Sequence, residues 1–171
     1  MIAPLLLFSL LGVGLFYFQN LLLFPQVRLR LIALLLFYVG LRPSFSLAFS
    51  LALVLGLLQD SFATTPFGLH LGASLLMVGM ARFCRRRLLL QKIGPQIAAS
   101  LGALTLQEMG FVLTLMLLGM QPFPMGDLLA FRSLEILATA ALAPLVFVLF
   151  QGFEKHLSRY GYSSRRSLEQ E

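Results

Sequence analysis

Small side chains recur at every fourth position between residues 44 and 60. The series consists of Ser44, Ala48, Ala52, Gly56 and Asp60, and most residues between them are Leu, Phe or Val. On a helix, this spacing places the five residues in one narrow stripe that ends in a carboxylate. Lipid tails give two helices no hydrophobic reason to associate, so close backbone approach across small residues is the main alternative. The stripe therefore predicts a helix–helix contact surface within a membrane.

The composition of the chain supports a membrane setting. Of the 171 residues, 58% are hydrophobic and 12% are charged, and the mean hydropathy is +0.88. A soluble domain has about half apolar and about a quarter charged residues. A single small globule could not hide this much apolar surface, so the sequence predicts an all-α integral membrane protein.

Six apolar segments have the length and composition of membrane spans. They cover residues 2–18, 27–41, 44–58, 67–83, 95–120 and 128–151. The second and third are shorter than the roughly 20 residues of a straight span, and Pro43 disfavours helix at Arg42. We therefore predict a tight hairpin of two short helices. The alternative is one long kinked helix, which would give five spans and place Arg42 in hydrocarbon. Residues 1–151 then form the transmembrane domain and residues 152–171 a short basic cytoplasmic tail.

The basic residues predict the orientation of the six spans. Ten of the thirteen Lys and Arg residues fall on one side: Arg42, Arg82, Arg85, Arg86, Arg87, Lys92, Lys155, Arg159, Arg165 and Arg166. Because positive loops stay cytoplasmic, both termini are predicted inside, with Arg28, Arg30, Arg132, Asp60 and Asp127 on the external side. Confinement of the positive charge to loops and tail favours contact with anionic membrane lipid over binding of nucleic acid.

Catalytic and metal-binding patterns are missing from the sequence. It has a single cysteine, Cys84, and its two histidines, His70 and His156, lie on opposite sides of the predicted membrane. Neither zinc-ligand spacing nor a GxSxG, Walker or HExxH motif occurs. We therefore expect no cofactor, no metal site and no enzymatic activity.

Four polar residues are predicted to lie within the fifth and sixth spans: Gln107, Glu108, Arg132 and Glu135. An ionisable group at that depth is costly and therefore suggests a function. Structural alternatives are a protonated Glu108 bonded to a neighbouring helix, since burial favours the neutral acid, or pairing of Glu108 with Arg132. Gln107 could likewise pair with Asp60. Arg132 and Glu135, three positions apart, could neutralise each other.

A second pair of small residues opens the fourth span. Gly68 and Gly72 form a GxxxG pattern, which predicts close packing against another helix. Gly72 is therefore a further helix-packing candidate beside Ser44, Ala48 and Ala52.

The segment GLLQDSFATTPFGLH, residues 56–70, resembles the signature of the rod shape-determining protein MreD family. Members of that family carry Gly-x-x-x-Asp at the end of one helix, a short polar turn, and (Pro/Leu)-x-Gly at the start of the next. Gly56, Asp60, Pro66 and Gly68 match these positions. The turn at residues 42–43, the basic loop after the fourth span and the chain length also fit, so the likeness covers roughly residues 5–150.

The resemblance implies a non-catalytic subunit of the bacterial inner membrane that maintains cell shape. Such proteins act with the bitopic protein MreC and with the rod complex for lateral peptidoglycan synthesis, which contains MreB, RodA and a class B penicillin-binding protein. The implied fold resembles the six-helix substrate-binding subunit of energy-coupling-factor vitamin transporters. Asp60 would cap the following turn or contact a partner on the external face.

The alternative function is that of a substrate-binding subunit of a small-molecule (vitamin) transporter. Gln107, Glu108 and Glu135 would then line a polar pocket inside the bundle. A binding site of that kind needs several polar groups that converge from different helices. Because the predicted spans contain few polar residues, we expect such convergence to be limited, and the sequence favours the shape-determining role.

Overall fold

The computed structural model describes residues 2–21, 29–63, 66–87, 93–119 and 125–159, and these residues form helices and short turns without strands. The helices are α1 (Ile2–Leu21), α2 (Leu31–Gly40), α3 (Phe45–Phe62), α4 (Leu69–Arg87), α5 (Ile93–Leu117) and α6 (Met125–Arg159). The predicted all-α, six-helix architecture is confirmed.

A tight turn joins α2 to α3. The backbone N–H of Leu41 donates to the Phe37 carbonyl over 3.0 Å, and that of Arg42 donates to the Val39 carbonyl over 3.1 Å, which closes the end of α2. The two helices then pack against each other. The predicted hairpin is confirmed, and the alternative of one long kinked helix is wrong.

The short helix α2 forms the centre of the bundle. Every residue from Leu31 to Gly40 is buried, and α2 contacts all five of the other helices. The Phe37 ring, for example, stacks on the Phe147 ring of α6 with centroids 6.1 Å apart. A helix that is apolar on all sides must be covered on all sides. The five other helices provide this cover, so α2 needs only ten residues to occupy the centre of the bundle.

Three helices in the described part of the chain are long and apolar enough to cross a membrane. They comprise Phe45–Phe62, Gly94–Leu117 and Arg132–Phe153, and two shorter apolar helices cover Leu5–Asn20 and Leu31–Gly40. Large apolar side chains such as Leu113 and Leu145 are exposed on the outside of the bundle. This outer surface suits contact with lipid tails.

Four helices, α1, α3, α4 and α6, end beyond the predicted spans. The third span was expected to end at residue 58, but α3 continues to Phe62, and its additional turn carries Asp60. The sixth was expected to end at residue 151, but α6 continues through Pro144 and on to Arg159. Hydropathy locates only the apolar part of a helix, and polar residues that extend it into water leave no apolar signal. The beginning of the region assigned to the tail is therefore helical.

The ends of the helices define two ends of the bundle. At one end, α1 meets α2 and α3 meets α4: the Leu31 N–H donates to Gln19 Oε1 over 3.2 Å, and the Gly68 N–H donates to Asp60 Oδ2 over 3.0 Å. We call this the Asp60 end. At the opposite end, Arg82 Nη2 donates to the Pro43 carbonyl over 3.0 Å and ties the α2–α3 turn to α4.

Candidate functional site

The side chain of Asp60 binds the first turn of the helix that follows it. Its Oδ2 accepts hydrogen bonds from the backbone N–H groups of Gly68 and Leu71 over 3.0 and 3.1 Å. Its Oδ1 accepts one from the N–H of His70 over 2.9 Å. Asp60 is only 4% exposed, so the carboxylate is almost fully enclosed by these contacts.

These hydrogen bonds satisfy donors that the start of any helix leaves without a partner. The first four N–H groups of a helix have no carbonyl one turn earlier, and a negative charge there also complements the helix dipole. In α4, the remaining donor, the Leu69 N–H, lies 3.4 Å from the Pro66 carbonyl. Gly68 has φ +96°, a backbone conformation that glycine adopts without strain, and its carbonyl accepts the first bond of α4. Asp60 is therefore an N-terminal cap supplied by the preceding helix.

Gly56 allows α3 and α4 to approach closely, one turn before Asp60. A Cβ atom at this position would lie 2.8 Å from Leu71 Cα and 3.3 Å from Ser74 Oγ, both in α4. Ala48 and Ala52 in the same stripe are completely buried. The pair of α3 and α4 has the most extensive contact in the bundle. The stripe is thus a helix–helix contact surface, as its spacing predicts.

The other two packing candidates differ from these. Ser44 is the N-cap residue of α3, where it is half-buried and its side chain makes no capping hydrogen bond. Gly72 is exposed, and among the described residues no atom outside its own helix lies within 4 Å of where its Cβ would be. The prediction that Gly72 packs against another helix is therefore wrong within this chain. Leu71 and Ser74 face α3, and Gly72 lies on a different side of α4.

Glu108 lies between two arginines inside the bundle. Arg30 Nη2 is 2.6 Å from Glu108 Oε2, and Arg132 Nη1 binds Oε1. The glutamate side chain is 13% exposed, and the guanidinium of Arg132 also lies over the Phe111 ring. Among the alternatives considered for Glu108, the structure contains the pair with Arg132. The contact of Arg30 with Glu108 was not predicted from the sequence. Arg30 is one of the three basic residues on the predicted external side, away from the other ten, and this position indicates that it needs a partner.

Two other pairings considered from the sequence are wrong. Gln107 does not bind Asp60: its Oε1 is buried and has no hydrogen-bond partner among the described residues. Arg132 forms its ion pair with Glu108 and not with Glu135. The backbone carbonyl of Glu135 accepts a hydrogen bond from Thr139 Oγ1 over 2.6 Å.

A cavity of about 220 Å³ lies beside this ion-paired group. The lining includes Gln107, Glu108 and Glu135, the three residues that the transporter alternative assigns to a pocket. It also includes Phe111 and four small or aliphatic residues. Its polar lining comprises Gln19, Arg30, Gln59, His70, Ser74, Gln107, Glu108, Arg132 and Glu135. We call it the polar cavity. These groups come from five helices and from the residue before α2, so the expectation of limited convergence is wrong: few polar residues are present, but the fold gathers them.

The comparison with family models identifies the family of the chain. The sequence model of the rod shape-determining protein MreD family matches residues 26–153. The chain belongs to the MreD family. The matched residues contain the stripe, the Asp60 cap and the arginine–glutamate contacts. No curated protein and no solved structure matches the chain.

Membership of the MreD family establishes a role in rod shape determination. Together with the apolar helices, it identifies the chain as a membrane protein. The family is a shape-determining one and not a known enzyme family. Among the described residues, there is no group of three or more His, Cys, Asp or Glu side chains that could hold a metal ion. Pro66 and Gly68, the motif residues that open α4, both contribute backbone groups to its first turn.

Proposed function

We propose that this member of the MreD family is a non-catalytic subunit of the rod, or elongation, complex in the bacterial cytoplasmic (inner) membrane. In this role it bridges an MreC-like bitopic protein and the machinery for lateral peptidoglycan synthesis: MreB, RodA and the class B penicillin-binding protein. The observation that supports it most is the family match over residues 26–153, which includes the whole α3–α4 junction.

The use of the polar side chains supports a binding role over a catalytic one. Asp60 is occupied by three backbone N–H groups of α4, and Glu108 is occupied by two guanidinium groups. Acceptors engaged in this way hold helices together and are not available as a general base. The large outward-facing apolar surface of the bundle remains for lipid and for helices of partner proteins.

The orientation that we propose places both termini in the cytoplasm. The α2–α3 turn with Arg42 and the basic end of α4 with Arg82 lie at one end of the bundle. The positive-inside rule assigns that end to the cytoplasm. The Asp60 end, together with the polar cavity, then belongs to the external half of the membrane.

A small-molecule uptake subunit is the second candidate function, and the polar cavity is the observation that favours it. The two candidates predict different partners. A rod-complex subunit binds the MreC-like protein and the peptidoglycan machinery, whereas an uptake subunit binds a membrane partner with ATPase components.

Co-purification of the full chain from native membranes of a rod-shaped bacterium tests the proposal. We expect the MreC-like protein, RodA and the class B penicillin-binding protein to be recovered with it. A Gly56→Leu variant should lose these partners, because the new side chain separates α3 from α4. The matched Gly72→Leu variant, changed where no described atom lies within 4 Å, should retain them. A folded chain that recovers ATPase subunits, and none of the rod-complex members, contradicts the proposal.

A further inference from the structure

The polar cavity at the Asp60 end has room for a small molecule. Its volume is about 220 Å³, whereas roughly 10–15 Å³ suffices to hold one water molecule. Close packing leaves few voids larger than a water molecule, and polar groups left in hydrocarbon are costly. Guanidinium, carboxylate and carboxamide groups line the cavity together with the Phe111 ring. Most of the lining residues are polar, so the cavity suits a polar or charged small molecule.

The charged residues of the lining, two arginines and two glutamates, balance in number. Arg30 and Arg132 both bind Glu108, which occupies both of its carboxylate oxygens. Each guanidinium carries five N–H donors, so donors remain on both arginines after these contacts. Glu135, the second carboxylate of the lining, forms no ion pair with any residue that the structure describes. The lining therefore offers positive donors on the two arginines and a negative acceptor on Glu135.

Gln107 adds an acceptor that no described residue uses. Its Oε1 is buried without a hydrogen-bond partner among the described residues, and the residue lines the cavity. A buried polar atom left unpaired costs free energy, and native proteins seldom retain one without reason. A ligand that brings an N–H donor to this oxygen removes the cost.

We propose that the polar cavity binds a small zwitterion of the amino-acid class. Its carboxylate accepts hydrogen bonds from Arg30 and Arg132, and its ammonium group donates to Gln107 Oε1 and to the Glu135 carboxylate. A ligand without net charge preserves the electroneutrality of two arginines and two glutamates, which a lone anion or cation does not. This binding goes beyond the shape-determining role and is independent of it.

Thermal unfolding and titration calorimetry of the full-length protein in detergent test the proposal. The probes are glycine, L-alanine and L-glutamine, with acetate and ethylammonium as ions that carry only one of the two charges. A ligand that binds only the folded state raises Tm. We expect at least one amino acid to raise Tm, and neither single-charge ion to do so at the same concentration. No shift with any of the three amino acids, or an equal shift with acetate or ethylammonium, overturns the proposal.

Variants of the lining separate ligand binding from structural support. Gln107→Leu removes the unpaired acceptor, so we expect the ligand-free protein to be at least as stable as before while binding weakens about tenfold or more. Glu135→Gln should weaken binding by a similar factor and serves if the first variant does not fold. Gln151→Leu, on an exposed position of α6, is the matched control and should bind normally. Unchanged affinity in both lining variants overturns the proposal.

Discussion

The Asp60 carboxylate, at the end of α3, accepts a hydrogen bond from the backbone N–H of His70, at the start of α4, over 2.9 Å. The same side chain also accepts the N–H groups of Gly68 and Leu71. An acid near the end of an apolar helix thereby becomes buried at little cost, because the first turn of the next helix provides both donors and a favourable dipole. This contact fixes the direction in which α4 leaves the turn.

Replacement of Asp60 by Ala should destabilise the bundle. Three buried N–H groups lose their acceptor, and we expect a loss of about 2–4 kcal/mol in the free energy of unfolding. Equilibrium unfolding in detergent micelles measures the effect. Ser61→Ala is the control, since Ser61 is exposed and bonds only to its own helix, and it should change stability by less than about 0.5 kcal/mol. Equal stabilities of the two variants contradict the capping role.

Gly56 and Gly72 should respond in opposite ways to the same substitution. A Cβ at Gly56 would lie 2.8 Å from backbone of α4, so Gly56→Ala should destabilise by about 1–3 kcal/mol. At Gly72 no contact limits the new methyl group, so Gly72→Ala should stabilise by about 0.5–1 kcal/mol through helix propensity. Unfolding of both variants under one condition gives the comparison, and a stabilised Gly56→Ala protein is incompatible with close packing there.

The sequence was sufficient to predict the stripe but not what its final residue binds. The four-residue period of Ala48, Ala52 and Gly56 is a property of one helix, so it can be recognised without knowing the neighbours. Whether Asp60 caps a turn or contacts a partner depends on where α4 begins in space. The exposure of Gly72 likewise depends on which side of α4 packs against α3, and its GxxxG spacing carries no such information.

The arginine–glutamate contacts show the same limit over a longer range. Arg132 and Glu108 belong to adjacent helices, and that pairing could be considered from the sequence. Arg30 precedes a different helix, far from Glu108 along the chain, and only the central position of α2 brings it to the same point. The polar cavity was underestimated for this reason: a count of polar residues does not reveal that they converge.

Loss of Glu108 should cost more than loss of either arginine. Glu108→Gln leaves two guanidinium groups without a counter-charge, and we expect a loss of about 2–3 kcal/mol, less than for a fully buried pair because both arginines keep some exposure. Arg132→Gln should cost less, since Arg30 still binds Glu108. Unfolding in micelles measures both. Thr105→Val, at an exposed position of α5, is the control. A larger loss of unfolding free energy for Arg132→Gln than for Glu108→Gln contradicts the arrangement in which both arginines share the Glu108 carboxylate.

Single cysteines should report opposite accessibility at the two ends of the bundle. In a Cys84→Ser background, Phe67→Cys lies in the exposed turn next to the Asp60 cap, and Ser44→Cys lies at the α2–α3 turn. We expect a membrane-impermeant maleimide to label position 67 in intact spheroplasts and position 44 only after lysis. Labelling of position 44 in intact spheroplasts contradicts cytoplasmic termini.

Cell shape tests the central claim most directly. The full chain is expressed in a rod-shaped bacterium depleted of its own MreD protein, and the cell length-to-width ratio is measured beside the level of the protein in the membrane. Our account predicts that the chain and its Gly72→Ala variant restore rods, whereas Asp60→Ala and Gly56→Leu leave cells rounded. Cells that remain round with the unaltered chain at normal level, or rods with every variant, contradict it.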